Sequence, residues 1–234
     1  MFRILMAALL LVSLSVSASE EPQLWSTAVE LGAVFTSGNT EQESIKFRVD
    51  STRSSDPWIN SFHFNTFMAS EDGNDTADKF YTFYRLDYQL SEDSTVFARI
   101  AYEEDEFSGF DSQTDLTAGY NRKLLSRENL VITGDVGAGV RRIEEVAGES
   151  TTEALLRLAG HLTWDISENA RFTQALGFEI GEELTTTRSE SALETIVVGD
   201  LTMKLAVAVK HNSDVPAGNK ETDTESTVTL VYKF

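Results

Sequence analysis

The sequence predicts an all-β fold: a transmembrane up-and-down antiparallel β-barrel of about twelve strands over residues 19–234, behind a signal peptide at residues 1–18. Three observations carry that expectation. Past residue 18, apolar and polar residues alternate in segment after segment, and no helical period survives. On the apolar face, aromatic residues gather at segment ends while Leu, Val, Ile and Ala fill the middles. The last segment, Thr227-Val228-Thr229-Leu230-Val231-Tyr232-Lys233-Phe234, alternates up to an aromatic end.

The N-terminal stretch is read apart from the fold. Met1-Phe2-Arg3 is a short positive start, and Ile4 to Val16 is apolar except for Ser13 and Ser15. Val16-Ser17-Ala18 is a small-residue cleavage pattern, followed by polar Ser19-Glu20-Glu21-Pro22. The apolar run is too short to span a bilayer comfortably. No cysteine follows it, which excludes a lipoprotein signal. Downstream, runs such as Thr195-Ile196-Val197-Val198 end after a few residues, far short of a spanning helix.

Twelve segments follow in order. Leu24–Thr36 places Trp25, Val29, Leu31, Ala33 and Phe35 on one face. Glu43–Thr52 opposes Ile45, Phe47 and Val49 to Lys46, Arg48 and Asp50. Trp58–Ser70 carries Trp58, Phe62, Phe64 and Met68; Phe80–Leu90 carries Phe80, Tyr84, Leu86, Tyr88 and Leu90. Thr95–Tyr102, Ser112–Leu124 and Leu130–Arg141 repeat the pattern, the last with Asp135 and Arg141 opposite Val136 and Val140. Glu153–Ile166 sets Leu156, Leu158, Leu162 and Trp164 against Arg157, His161 and Asp165. Arg171–Gly181 sets Phe172, Leu176 and Phe178 against Arg171 and Glu179. Ser191–Val197 alternates least clearly, and Thr202–His211 and Thr224–Phe234 close the series.

Connections alternate in length. Ser91–Ser94, Leu125–Asn129, Ser167–Asn169 and Val198–Asp200 read as short turns. Glu71–Lys79, Glu103–Asp111, Arg142–Thr151, Glu182–Glu190 and Asn212–Asp223 read as longer loops, most of them acidic. Short turns at one end and longer loops at the other is the outer-membrane arrangement, and an even strand number puts both termini at the periplasmic end. Ser37-Gly38-Asn39-Thr40 is the short exception.

Alternation alone fits a soluble sandwich as well, with the apolar face as core. The aromatic residues separate the two readings. Trp25, Trp58, Tyr88, Tyr120, Trp164, Phe172 and Phe234 fall near the periplasmic ends, and Phe35, Phe80, Tyr102 and Phe178 near the other ends. Two aromatic girdles around an aliphatic band suit two membrane interfaces. The apolar face then points into lipid. Lys46, Arg48, Arg85, Arg99, Arg157 and Arg171 point into the lumen, where they would set any anion or cation preference.

Composition limits function. The net charge of −19 argues against nucleic acid as a partner, and the absence of cysteine leaves no disulfide framework. The partners expected are outer-membrane lipid and lipopolysaccharide, and no cofactor is expected. His63, His161 and His211 lack a neighbouring serine in a recognisable nucleophile motif. Each reads as part of a polar lumen or its rim, so no catalytic residue is assigned. The acidic runs Glu103-Glu104-Asp105-Glu106 and Glu71-Asp72-Gly73-Asn74-Asp75 read as solvated loops, with weak divalent-cation binding as the alternative; neither matches a calcium-loop pattern.

Several stretches carry a family likeness. They are Val29-Glu30-Leu31-Gly32 through Ser37-Gly38-Asn39-Thr40-Glu41, and Tyr102-Glu103-Glu104-Asp105-Glu106-Phe107-Ser108-Gly109. The third is Asn212-Ser213-Asp214-Val215-Pro216-Ala217-Gly218-Asn219-Lys220 leading into Leu230–Phe234. With them the mature chain resembles the YdiY-like family of salt-induced outer-membrane proteins. The resemblance implies location and fold but no reaction. Val215 stands where that family leads one to expect a second proline, a departure expected only to soften a loop. The aromatic terminus, Tyr232 and Phe234, resembles the signal that such barrels present to the barrel assembly machinery. The expectation is thus a non-enzymatic outer-membrane barrel serving envelope integrity or salt adaptation. A small-solute channel is the alternative, and a barrel hydrolase ranks below both.

Overall fold

The computed structural model describes residues 24–36, 42–105, 110–145, 148–216 and 219–234. The expected signal peptide, the Ser37–Thr40 loop and Glu106 lie outside them.

Twelve strands form one closed antiparallel barrel in sequence order, β12 returning to β1. They are β1 (Trp25–Thr36), β2 (Gln42–Ser55), β3 (Trp58–Glu71), β4 (Asn74–Ser91), β5 (Ser94–Asp105) and β6 (Phe110–Arg127), then β7 (Leu130–Glu145), β8 (Ser150–Ser167), β9 (Ala170–Ile180), β10 (Thr185–Val198), β11 (Leu201–Asn212) and β12 (Thr222–Lys233). Each segment that alternates in the sequence contains or overlaps one of these strands. Closure leaves no unpaired sheet edge, which a strand structure in hydrocarbon requires.

One end of the barrel is made only of two-residue turns: Asp56-Pro57, Glu92-Asp93, Glu128-Asn129, Glu168-Asn169 and Gly199-Asp200. The other end carries the longer connections. There the expected loops prove too long. Glu71–Lys79 is a two-residue hairpin, Asp72 and Gly73 both having positive φ (50° and 77°), and β4 starts at Asn74. An Asp-Gly pair with that backbone is a type I′ turn, whose twist matches the strands it joins. Glu103, Glu104 and Asp105 belong to β5 rather than to a solvated loop. The expected loop Glu182–Glu190 shrinks to 181–184, and β10 is a full 14-residue strand starting at Thr185. Strands β4, β6 and β8 reach 18 residues, well beyond the roughly 9–11 that a tilted strand needs to cross a bilayer. The surplus stands above the apolar band on the loop side.

The orientation is apolar outside and charged inside. Exposed residues include Leu31, Ile100, Leu116, Val140, Leu156, Leu205 and Leu230, while Glu30, Lys46, Asp87, Arg99, Asp115, Arg141, Glu179 and Lys204 are buried. A soluble sandwich would show the opposite. Trp25 (55% exposed), Trp58, Tyr88, Tyr120, Trp164, Tyr232 and Phe234 face outward near the short-turn end. Trp58 packs edge-on against Tyr88 with ring centroids 4.9 Å apart, and Phe172 is paired with Trp164 across β8–β9. Toward the loop end the outer aromatics form an arc over β2–β5: Phe47, Phe64, Phe80 and Tyr102 lie 5.3–6.0 Å from ring to ring.

The described apolar core is small and sits at the loop end. Leu184, from the β9–β10 turn, packs with Phe110 and Ile143, and Val215 of the β11–β12 loop closes over them. Val215 thus gives its loop an apolar contact with this cluster.

Candidate functional site

The inward face of the barrel is lined by ionic side chains that pair across the bore. Charges placed at membrane depth are affordable only when they face the interior and find partners. The alternation that buries apolar residues in lipid aims these groups at one another.

Near mid-height one chain of contacts runs over six strands. His63 Nδ1 lies 2.7 Å from Asp50, and Arg48 Nε donates to Asp50 at 2.6 Å. Arg48 also reaches Glu190 on β10 at 2.9 Å. Lys204 joins Glu190 to Glu30, 3.1 Å from each, and the Thr229 hydroxyl donates to Glu30 at 2.8 Å. On the opposite wall Arg85 lies between Asp87 (2.8 Å) and Asp135 (2.6 Å), with its guanidinium 4.0 Å from the Phe97 ring.

The pairs nearer the loop end join strands four to six places apart around the barrel. Lys210 on β11 reaches Glu103 on β5 at 3.0 Å, and Arg188 on β10 donates to the same carboxylate. Lys79 on β4 reaches Asp223 on β12 at 3.1 Å. Below them Glu179 takes four guanidinium groups: Arg157 at 2.5 Å, Arg188 at 3.3 Å, Arg141 at 3.5 Å and Arg99 at 3.8 Å. Arg141 is held further by both oxygens of Asp115, at 2.8 and 3.0 Å.

A cavity of about 1190 Å³ runs along these layers, from Thr76 and Asp223 toward the loop end to Thr95 and Glu194 toward the short-turn end. Of the six lumen candidates, Arg48, Arg85, Arg99 and Arg157 line it. Lys46 and Arg171 do not. Lys46 is buried against Glu225 at 2.5 Å, and Arg171 is 48% exposed at the short-turn rim, paired with Asp165 at 2.5 Å. The sequence reading missed Glu103, Arg188, Glu190, Lys79 and Asp223, all assigned to loops. Their period-2 placement was the available signal. It is faint there because the residues alternating with Arg188 and Glu190 are Thr187, Ser189 and Ser191, none of them apolar.

The histidines do not meet a serine. His63 bonds Asp50 and stacks on Phe83, His161 approaches the Thr163 hydroxyl at 3.3 Å, and His211 that of Thr222 at 2.9 Å. Among the described residues no cluster of three or more His, Asp or Glu side chains is arranged to hold a metal ion. Of the two acidic runs, one forms the Asp72-Gly73 hairpin, and the other places Glu103 in the lumen network.

A closed twelve-stranded barrel with an apolar exterior and an ion-paired interior is a barrel of the outer-membrane class. The chain belongs to the DUF481 family, described as a protein of unknown function, whose model matches residues 29–234. It is 29% identical over 204 residues to "Uncharacterized protein YdiY" of Escherichia coli (strain K12), covering 87% of this chain and 81% of that one. Its fold is similar to that of the NanC porin (TM-score 0.50, 12% identity, 88% of this chain and 97% of the other). It is also similar to an outer membrane channel from Pseudomonas putida F1 (0.51, 12%, 90% and 94%). The translocator domain of the autotransporter NalP from Neisseria meningitidis matches equally well (0.51, 12%, 92% and 90%).

Proposed function

We propose that this chain is a non-enzymatic barrel of the outer membrane, acting as a rigid, ion-braced body in envelope integrity under salt stress. The observation that carries the reading is the set of bridges across the loop end of the bore, Lys210–Glu103, Arg188–Glu103 and Lys79–Asp223. Opposed charges at that spacing fix the walls relative to one another and obstruct a continuous water path. The Leu184 turn, packed against Phe110 and Ile143, supports the same reading by tying three parts of the loop end together. The salt-stress part comes from the family likeness. On this reading residues 1–18 direct export and are removed, and Tyr232 and Phe234 are presented to the assembly machinery.

A second reading, a small-solute channel, is favoured by the lumen cavity and its wall of arginines. Planar-bilayer recording separates the two. The refolded wild-type barrel is expected to give no steady unit currents, and K210A/R188A, which removes the bridges to Glu103, is expected to give them. Wild-type currents as large as those of the double variant would establish the channel instead. Detergent-dependent fractionation of the expressed chain tests the location.

A further inference from the structure

Glu179 is one carboxylate facing four guanidinium groups, and they are not equally supplied. Arg141 has Asp115 as a second partner, and Arg188 has Glu103. Arg99 and Arg157 have no second carboxylate in the ion pairs of the described residues. Both converge on the same oxygen, Glu179 Oε1. Arg99 is only 3% exposed, and its Nη1 is buried without a hydrogen-bond partner, its charge contact to Glu179 being too long to be one. Arg157 Nε is likewise buried and unpartnered. Arg99 Nη2 donates to the Tyr81 hydroxyl, which fixes the direction of the fork, and its guanidinium lies 4.8 Å from the Phe83 ring. Both arginines line the cavity.

Buried guanidinium donors left unbonded at membrane depth are costly, so the arrangement carries an unmet demand for negative charge. We propose that Arg99 and Arg157, beside Tyr81, form a binding site in the lumen for a small organic carboxylate. A planar carboxylate suits two forks that already meet on one carboxylate oxygen, because its two oxygens can take parallel N–H donors. The cavity is roomy enough for a solute of that size. Glu179 acts as a resident competitor that orients both side chains. The site adjoins the loop-end bridges through Arg188, which bonds both Glu103 and Glu179, but its own donors belong to Arg99 and Arg157, and it stands whether the barrel conducts or not.

The test is titration calorimetry on the refolded mature barrel in detergent, with sodium gluconate and, separately, sodium sulfate as probes. Gluconate is expected to bind wild type saturably. R99Q and R157Q are each expected to weaken it by about tenfold or more, the loss of one charge-assisted contact. R171Q, altered at the exposed rim, should bind as wild type does. E179Q should bind gluconate more tightly, because the competing charge is gone. Heat-modifiable gel mobility confirms that each variant is folded. If R157Q does not fold, R157K keeps the charge but loses the fork and should still weaken binding. Absence of saturable heat with wild type, or undiminished affinity in R99Q and R157Q, would overturn the site. Sulfate binding as tightly as gluconate would overturn the assignment to carboxylates.

Discussion

Arg141 is the most deeply buried charged side chain described, with 0% exposure, and its surroundings explain how it is tolerated. Asp115 grips it at two points, Glu179 lies 3.5 Å away, and Nη1 donates to the Leu184 carbonyl at 3.3 Å. Removing one member of a buried pair strands the other, and that penalty exceeds what the pair itself contributes. R141M should therefore destabilise the barrel by about 3–5 kcal/mol, read as a lower temperature for the heat-modifiable gel transition. D115N/R141M should recover part of the loss, and no recovery would show that Arg141 acts through the Leu184 turn instead. A second residue-scale case concerns space. Gly119 faces Gly137 across β6–β7, and the Phe97 ring rests over both. A Cβ on Gly119 would lie 2.2 Å from the Val136 carbonyl oxygen and 2.9 Å from Phe97. G119A is expected to cost at least about 1–3 kcal/mol by overpacking, measured by urea unfolding in lipid vesicles. Arg141 and Asp115 were legible as inward from alternation. Arg157 and Arg188 reach Glu179 from the neighbouring strands β8 and β10; that Arg141 and Arg99 would join them was not legible, because pairing two and more strands away depends on barrel stagger, which local sequence does not encode.

At the scale of elements, legibility follows the lipid. Where a strand crosses the apolar band its outer face must be greasy, and the alternation in Thr202–His211 or Leu130–Arg141 is plain. Where it rises above the band the constraint lapses. Thr185–Glu190 reads as loop for another reason, its outward positions being Thr185, Thr187 and Ser189, although it opens β10 and pairs with the exposed Phe178 and Leu176. The lapse turned Glu103 and Asp105 into an apparent solvated run. The β9–β10 turn is tied down by three contacts. Glu153 accepts the Glu183 amide at 2.7 Å, Arg141 holds the Leu184 carbonyl, and the Leu184 side chain packs against Phe110 and Ile143. Placing a charge in that apolar contact should release the turn. In L184D a glutamate-specific protease is expected to cut the folded barrel after the exposed Glu182 or Glu183. Wild type should resist under the same conditions. Equal resistance would mean that Arg141 and Glu153 hold the turn without the apolar contact.

For the molecule as a whole, the outward aromatic and aliphatic residues made the inside-out orientation readable, but the way the cylinder shuts was not. Neighbouring strands elsewhere are zipped along most of their length, β6 to β7 from Phe110↔Glu145 to Arg127↔Leu130. The β1–β12 joint runs only from Ala28↔Lys233 to Leu31↔Leu230, with Thr27 and Phe234 exchanging backbone hydrogen bonds at 2.8 and 2.9 Å. Backbone pairing in hydrocarbon has no water to replace it, so the shortest ladder is where the closed barrel gives way first. Lys46, which reaches past β1 to Glu225 on β12, braces this joint from inside. A covalent tie across it should therefore stabilise more than the same tie elsewhere. The chain has no cysteine, so an engineered pair cannot be diverted to another thiol. Leu31 and Leu230 are register partners facing outward, and opposed positions on antiparallel strands have the Cα separation a disulfide needs. Oxidised L31C/L230C is expected to raise the temperature of the heat-modifiable transition above that of its reduced form. It should do so by more than a tie at the outward pair Leu116 and Val140 on β6–β7. Equal gains at both places would show that unfolding does not begin at the seam, and that the lumen bridges carry the closure instead.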